Sequence, residues 1–371
     1  MKSNRRTRTA MVSLALAAAM TAGGAAVPAH AHEGHPPAAG EGPLPADPHY
    51  GRGWHELPGI EGGPRQEHSV AALGEKIYVL GGIVPEAGGV TTVDRVEVFD
   101  TRTRRWSEAA PLPVPMNHPN VAAVDGRIYV LGGLTGGASW EATGASFVYD
   151  PKRDRWSSLP PVPREMVRGS AAMGVKGRTV HLAGGMRTLT PGPGGLQDTV
   201  DTVSAYDVDS GRWRDLAPLP QARDHVGGAV VGSTFYVLGG RDRGQVNVRD
   251  TVYALDLRTG RWAERAPMPT ARGGLAASAV GGKIYTFGGE GNPAPGSNSI
   301  FDEAEVYDTA RDRWQRLAPM PVPRHGTAAA TVGDTVHIPG GGTAAGGAPV
   351  ATNDAYRPNG HGHGRGQGSR P

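Results

Sequence analysis

Residues 121–133 read VAAVDGRIYVLGG: small apolar residues, an Asp-Gly turn, a strand of large apolar residues and a glycine pair. Asp-Gly between two apolar runs is a strong local signal for a hairpin. The same ending recurs along the chain as IYVLGG at 77–82 and 128–133, VHLAGG at 180–185, FYVLGG at 235–240, IYTFGG at 284–289 and VHIPGG at 336–341. Successive pairs lie 49 to 55 residues apart. A constant period of this length marks a repeat architecture in which each unit needs its neighbours to bury its faces.

Each unit carries further elements in a fixed order. A strand ends in an aromatic residue and aspartate, as in Phe99-Asp100, Tyr149-Asp150, Tyr206-Asp207 and Tyr307-Asp308. A basic turn follows, then a strand that opens with Trp106, Trp156, Trp213, Trp262 or Trp314. Four short strands joined by turns predict one small antiparallel sheet per unit. A sheet of that size is marginal alone, whereas six packed face to face around an axis bury both faces of each. The expected fold is therefore all-β: a six-bladed propeller with four antiparallel strands per blade. Six glycine pairs are followed by only five tryptophan strands, and the missing tryptophan is Trp54, ahead of the first pair. The N-terminal strand is expected to complete the last blade and close the ring.

These residues resemble the kelch-repeat family over about 300 of the 371 residues. The resemblance implies a propeller that presents its ligand surface at the loops after the glycine pairs. Galactose oxidase shares such a propeller, but its cofactor requires a tyrosine cross-linked to cysteine. This chain has no cysteine, so that chemistry is not expected.

The termini read differently. Lys2, Arg5, Arg6 and Arg8 precede an apolar run from Met11 to Met20 and small residues up to Ala31, the order of a secretory signal peptide cleaved after Ala31. The expected organisation is a signal peptide at 1–31, a flexible His/Pro/Gly-rich segment at 32–52, the propeller at 53–357 and a disordered Gly/His/Arg-rich tail at 358–371. The protein is expected to be secreted. The overall excess of three basic residues is more than covered by the four in the first 31 positions. No global charge therefore points to nucleic acid, and no apolar stretch has the length to span a bilayer. A closed ring needs no partner strand, and a monomer is expected.

Candidate site residues follow from the repeat. Sixteen positions before the first glycine of each pair stand Arg65, Met116, Arg168, Arg223, Arg272 and Arg324. Five arginines at one point of the blade, just before the innermost strand, would ring the channel mouth and hold anions bidentately. The arrangement is similar to kelch domains of ubiquitin-ligase adaptors, whose arginines line a pocket for acidic peptides. The alternative is that the arginines belong to the repeat itself and pair within the fold. Trp140, out of phase within GGASWEATG (136–144), would either stack on a ligand at the pocket rim or cover its own loop. His118 and His225 occupy equivalent positions two residues after the arginine column, and His325 stands one position earlier; histidines from neighbouring blades could converge, and the alternative, the commoner one, is lone polar histidines at a strand start. His32 and His35, at the expected mature N-terminus, suit Cu(II), with His361 and His363 in the other tail. Their alternative is a solvated tail, and no further cofactor is expected.

Nothing matches a nucleophile elbow, a zinc-binding helix or a phosphate loop. The expected function is a binding or interaction module for an acidic small molecule, glycan or peptide, with a protein partner as a further option. The enzymatic alternative is a sugar epimerase or mutarotase. Sialic-acid mutarotases are similar in architecture, and loop carboxylates such as Glu141, Glu290, Asp302 and Glu303 are the candidates for acid-base work.

Overall fold

The computed structural model describes residues 53–137, 139–190 and 197–358. The signal peptide, His32 and His35, and His361 and His363 lie outside the described residues.

Each repeat forms a blade whose strands we letter a to d from the axis outward. Blade 1 is Ser69–Leu73, Lys76–Leu80, Val96–Asp100 and Arg105–Ala109, hydrogen-bonded in that order. The b strand is buried on both sides, as a central propeller strand must be, which explains its unbroken apolar run. The c strand ends at Asp100, whose Oδ1 accepts the amides of Arg102 and Thr103 at 3.0 and 2.9 Å and so turns the chain into d. Blades 3, 4 and 5 repeat this pattern at 172–215, 227–265 and 276–316. Blade 2 (121–158) has longer b and c strands, and its c strand also pairs with a hairpin, Met186–Leu189 and Gln197–Thr199, that grows from the b–c loop of blade 3.

The ring closes as the tryptophan count requires. Trp54–Leu57 is the outer strand of blade 6, with Trp54 opposite Tyr356 and Leu57 opposite Asn353. Tryptophan also ties the blades together. The indole N–H of Trp54, Trp106, Trp156, Trp262 and Trp314 donates to the carbonyl of Ala318, Pro58, Ala110, Ala217 and Ala266, each on the preceding blade, at 2.8–3.0 Å. Further in, the b-strand residue of one blade meets an aromatic ring of the next. Tyr78 lies against Tyr149, Tyr129 against Tyr206, Tyr236 against Tyr307 and Tyr285 against Tyr356, with His181 and His337 taking the tyrosine's place against Phe235 and Phe99. Among the described residues no helix is long and apolar enough to cross a membrane.

Candidate binding site in the central channel

The five arginines are 0–1% exposed and point into their blades. Arg65, Arg168, Arg223 and Arg324 donate to the carbonyl of the first glycine of their own pair, at 2.6–3.1 Å. Each also meets the second residue of the c strand. Arg65 pairs with Glu97 at 2.5 Å, Arg272 with Glu305 at 3.0 Å and Arg324 with Asp354 at 2.7 Å. Arg168 bonds the Ser204 hydroxyl at 3.0 Å, and Arg223 lies 4.6 Å from the Tyr253 ring centre. In blade 2 the corresponding residues are Met116 and Phe147, both buried in one apolar cluster. The expectation of an anion-binding ring at the mouth is corrected: burial and partners within the chain keep these guanidiniums from any ligand at the surface.

Two residues beyond the arginine column, the chain turns through the left-handed region in all six blades: Glu67, His118, Ser170, His225, Gly274 and Gly326 have φ between 47° and 63°. Their amides link the blades around the axis. Glu67 donates to Gly326 O, His118 to Glu67 O, Ser170 to His118 O, Gly274 to His225 O and Gly326 to Gly274 O, at 2.6–3.1 Å. The His225 amide completes the circle on the Ser170 hydroxyl at 3.1 Å. Glycine adopts this backbone without strain, yet four blades carry Glu, His, Ser and His there, so those side chains stand at a point the fold holds fixed. A Cβ at Gly326 would come within 2.6 Å of Glu67 Oε1; its absence makes room for the carboxylate.

Three of these side chains converge. His118 Nε2 is 2.9 Å from Glu67 Oε2 and 3.0 Å from His225 Nε2, and His225 Nε2 is 4.0 Å from Glu67 Oε2. The residue before each histidine orients its ring, Asn117 Oδ1 lying 2.7 Å from His118 Nδ1 and Asp224 Oδ1 2.6 Å from His225 Nδ1. Beside them Arg241 reaches Glu290, Asp224 and His225, and Thr199 donates to Asp224. Gln66 Nε2 bonds Glu67 Oε1 at 3.1 Å and His325 Nε2 at 3.3 Å. Burial pushes the Glu67 carboxyl up, but the rings of His118, His225 and His325 outweigh it and hold Glu67 well below the usual carboxylate range. Burial and the Arg241 charge lower His225. In Glu290 and Asp224 burial is again outweighed, by Arg241 and by the neighbouring histidines, and both are lowered.

On the loop side this cluster is covered. Ile83, Leu134 and Met186, the residues after the first three glycine pairs, form an apolar group with Trp140. Trp140 is 6% exposed and its ring centre lies 5.5 Å from that of His118. Of the two expectations for Trp140, the covering role is the one found: it is buried and is no exposed rim for a ligand. On the other side the six a strands wall a channel of about 420 Å³, lined by small residues such as Ala72, Ala123 and Ala279 and floored by Glu67, His118 and His225. Of the four loop carboxylates, Glu290 joins the site, Glu141 and Asp302 are exposed and Glu303 is half-buried. Glu67, Asp224 and Arg241 escaped the sequence reading, although counting from the glycine pairs reaches all three, and the Asn-His and Asp-His dipeptides at 117–118 and 224–225 signal rings oriented by a preceding side chain.

Comparison with known proteins places this architecture. The KLHDC2/KLHL20/DRC7 Kelch-repeats domain model matches residues 188–358 and the Kelch motif matches 64–113 and 115–163. Kelch-like protein terF of Aspergillus terreus is 40% identical over 313 residues, 82% of this chain and 68% of that protein. Kelch-like protein 25 of Xenopus tropicalis is 30% identical over 190 residues, 48% of this chain and 29% of that protein. The chain thus spans less than a third of this second relative. The solved structure of YjhT superimposes with a TM-score of 0.66 at 16% identity, covering 80% of this chain and 95% of that one.

Proposed function

Because the chain belongs to the kelch-repeat family, we propose that it is an exported interaction module that receives a positively charged group at the closed end of its channel. Kelch propellers serve generally as protein-interaction modules, and the order of charge, apolar run and small residues over 1–31 supports export. One observation carries the charge preference. Glu67 on the floor and Asp224 and Glu290 beside it are three buried carboxylates that share one guanidinium, Arg241, and three histidines, His118, His225 and His325. With neutral histidines the group carries a net negative charge, and a buried site of that kind favours a cation. The same balance counts against an acidic glycan or peptide at this end.

The experiment is a thermal-shift series on the protein with a lysine-ended peptide, zinc and cobalt chlorides and an aspartate-ended peptide. The expected result is stabilisation by at least one cationic probe and none by the acidic peptide, with the effect lost in Glu67→Gln and in Ala123→Trp, which fills the channel. Stabilisation by the acidic peptide, or an undiminished effect in both variants, overturns the reading.

A further inference from the structure

We propose that the cation at the channel floor is a divalent transition metal, held by Glu67 Oε2, His118 Nε2 and His225 Nε2. The proposal deepens the cation-accepting reading and rests on it.

Tautomers come first. Asn117 Nδ2 donates to Thr92 Oγ1 at 2.8 Å, and that hydroxyl donates onward to Gly136 O at 3.1 Å. Asn117 therefore turns its oxygen to His118, whose Nδ1 must carry the proton. Asp224, a carboxylate, requires the same of His225 Nδ1. With both rings neutral, the two Nε2 atoms present lone pairs to each other at 3.0 Å beside a carboxylate oxygen. Without an ion, a second proton on His118 Nε2 and the Arg241 guanidinium at His225 Nε2 separate these acceptors; a divalent ion at the same point takes the place of both.

Geometry fits a metal. An ion with bonds of about 2.0–2.1 Å to nitrogen and oxygen sets its ligand atoms about 2.9–3.4 Å apart. The three separations here are 2.9, 3.0 and 4.0 Å, two of them within that range, and the third requires Glu67 Oε2 to move toward His225 when an ion binds. Two imidazoles and one carboxylate are a donor set for first-row divalent ions such as Zn(II), Fe(II) and Co(II), with positions left open. Those positions would face the channel. Asn117 and Asp224 hold the far nitrogen of each ring as outer-shell partners of metal-bound histidines do. Arg241 Nη2, 3.0 Å from His225 Nε2, is the competing donor. It is already tied to Glu290 and Asp224 and gives up this third contact when the ion takes the lone pair. With neutral histidines, three carboxylates against one guanidinium leave two negative charges, which one divalent ion cancels. Buried Glu290 Oε2 has no hydrogen-bond partner, its nearest basic group being His325 Nδ1 at 3.6 Å.

The test uses the full chain with His30, His32, His35, His49, His361 and His363 changed to Ala, which removes the histidines of both tails. After dialysis against Zn(II) or Co(II) and removal of excess, this protein should retain one equivalent. Glu67→Gln and His225→Asn should lose it, with affinity falling more than about 100-fold, beyond the 10–100-fold typical of a lost outer-shell partner. Asn is chosen at 225 because it tolerates the left-handed backbone. Melting curves verify that the variants fold. Absence of a retained equivalent in the parent, or equal retention in both folded variants, overturns the metal site. If the metals fail while a lysine-ended peptide still stabilises the protein, the cation-accepting reading stands and the metal does not; if both fail, both fall.

Discussion

Arg272 and Glu305 are both fully buried and lie 3.0 Å apart, and blade 2 shows what can replace such a pair, since Met116 and Phe147 occupy the same two positions. Removing one partner of a buried ion pair costs about 3–5 kcal/mol, whereas exchanging both for apolar groups is often neutral. Arg272→Met should therefore lower unfolding stability by about that amount in urea titration, and adding Glu305→Phe should recover most of it. His337 offers a second case. Burial pushes its pKa down to about 4, against about 6.5 when unfolded, so its neutral form stabilises the fold fully above about pH 6.5, and that contribution disappears as pH falls through 4. Four blades carry tyrosine at this position, and His337→Tyr should remove roughly 3 kcal/mol of acid sensitivity across that window, read from midpoints of unfolding against pH. Legibility at this scale is uneven. Residue spacing placed the arginines at a common blade position, but spacing says nothing of which way a side chain turns, and all five turn inward. The equivalent positions of His118 and His225 were visible, but lone strand-start histidines were the expected reading, and spacing does not show that rings from blades 2 and 4 meet across the axis. Glu67, their partner, stands in the same column, 14 residues before its glycine pair, but was not singled out because its residue type alone does not distinguish it from a solvated loop glutamate.

Elements were the most readable part of the molecule. The glycine pairs, the aspartate that ends each c strand and the tryptophan that opens each d strand are local signals, and each has a local physical cause. Ring closure by Trp54–Leu57 was also legible, because a count of five tryptophan strands against six glycine pairs leaves one blade incomplete. Trp54 is 2% exposed, packs edge-on against Phe287 and Tyr356, and bonds Ala318 O. Trp54→Ala should cost about 3–5 kcal/mol and, by weakening the one strand not continuous with its blade, open the last blade first. Limited proteolysis should then cut near residues 353–356 well below the global melting temperature. The hairpins in the b–c loops were not foreseen, since their sequences are rich in glycine and short of apolar alternation.

At the scale of the molecule, the closed end of the channel was invisible in the sequence. It depends on six left-handed turns meeting at the axis and on a cover assembled from loops of different blades. No single repeat contains that information. The ring also has a temporal side. The segment containing Trp54 is made early, while its partner Tyr356 follows roughly 300 residues later, the kind of distant pairing that slows folding. During synthesis, blades 1 to 5 can form one after another, but the first strand must wait with an unpaired edge until the final hairpin arrives. The step that makes the protein a ring is therefore the last to occur, and the interval before it is when the chain is most exposed to pairing with a neighbour instead of with itself.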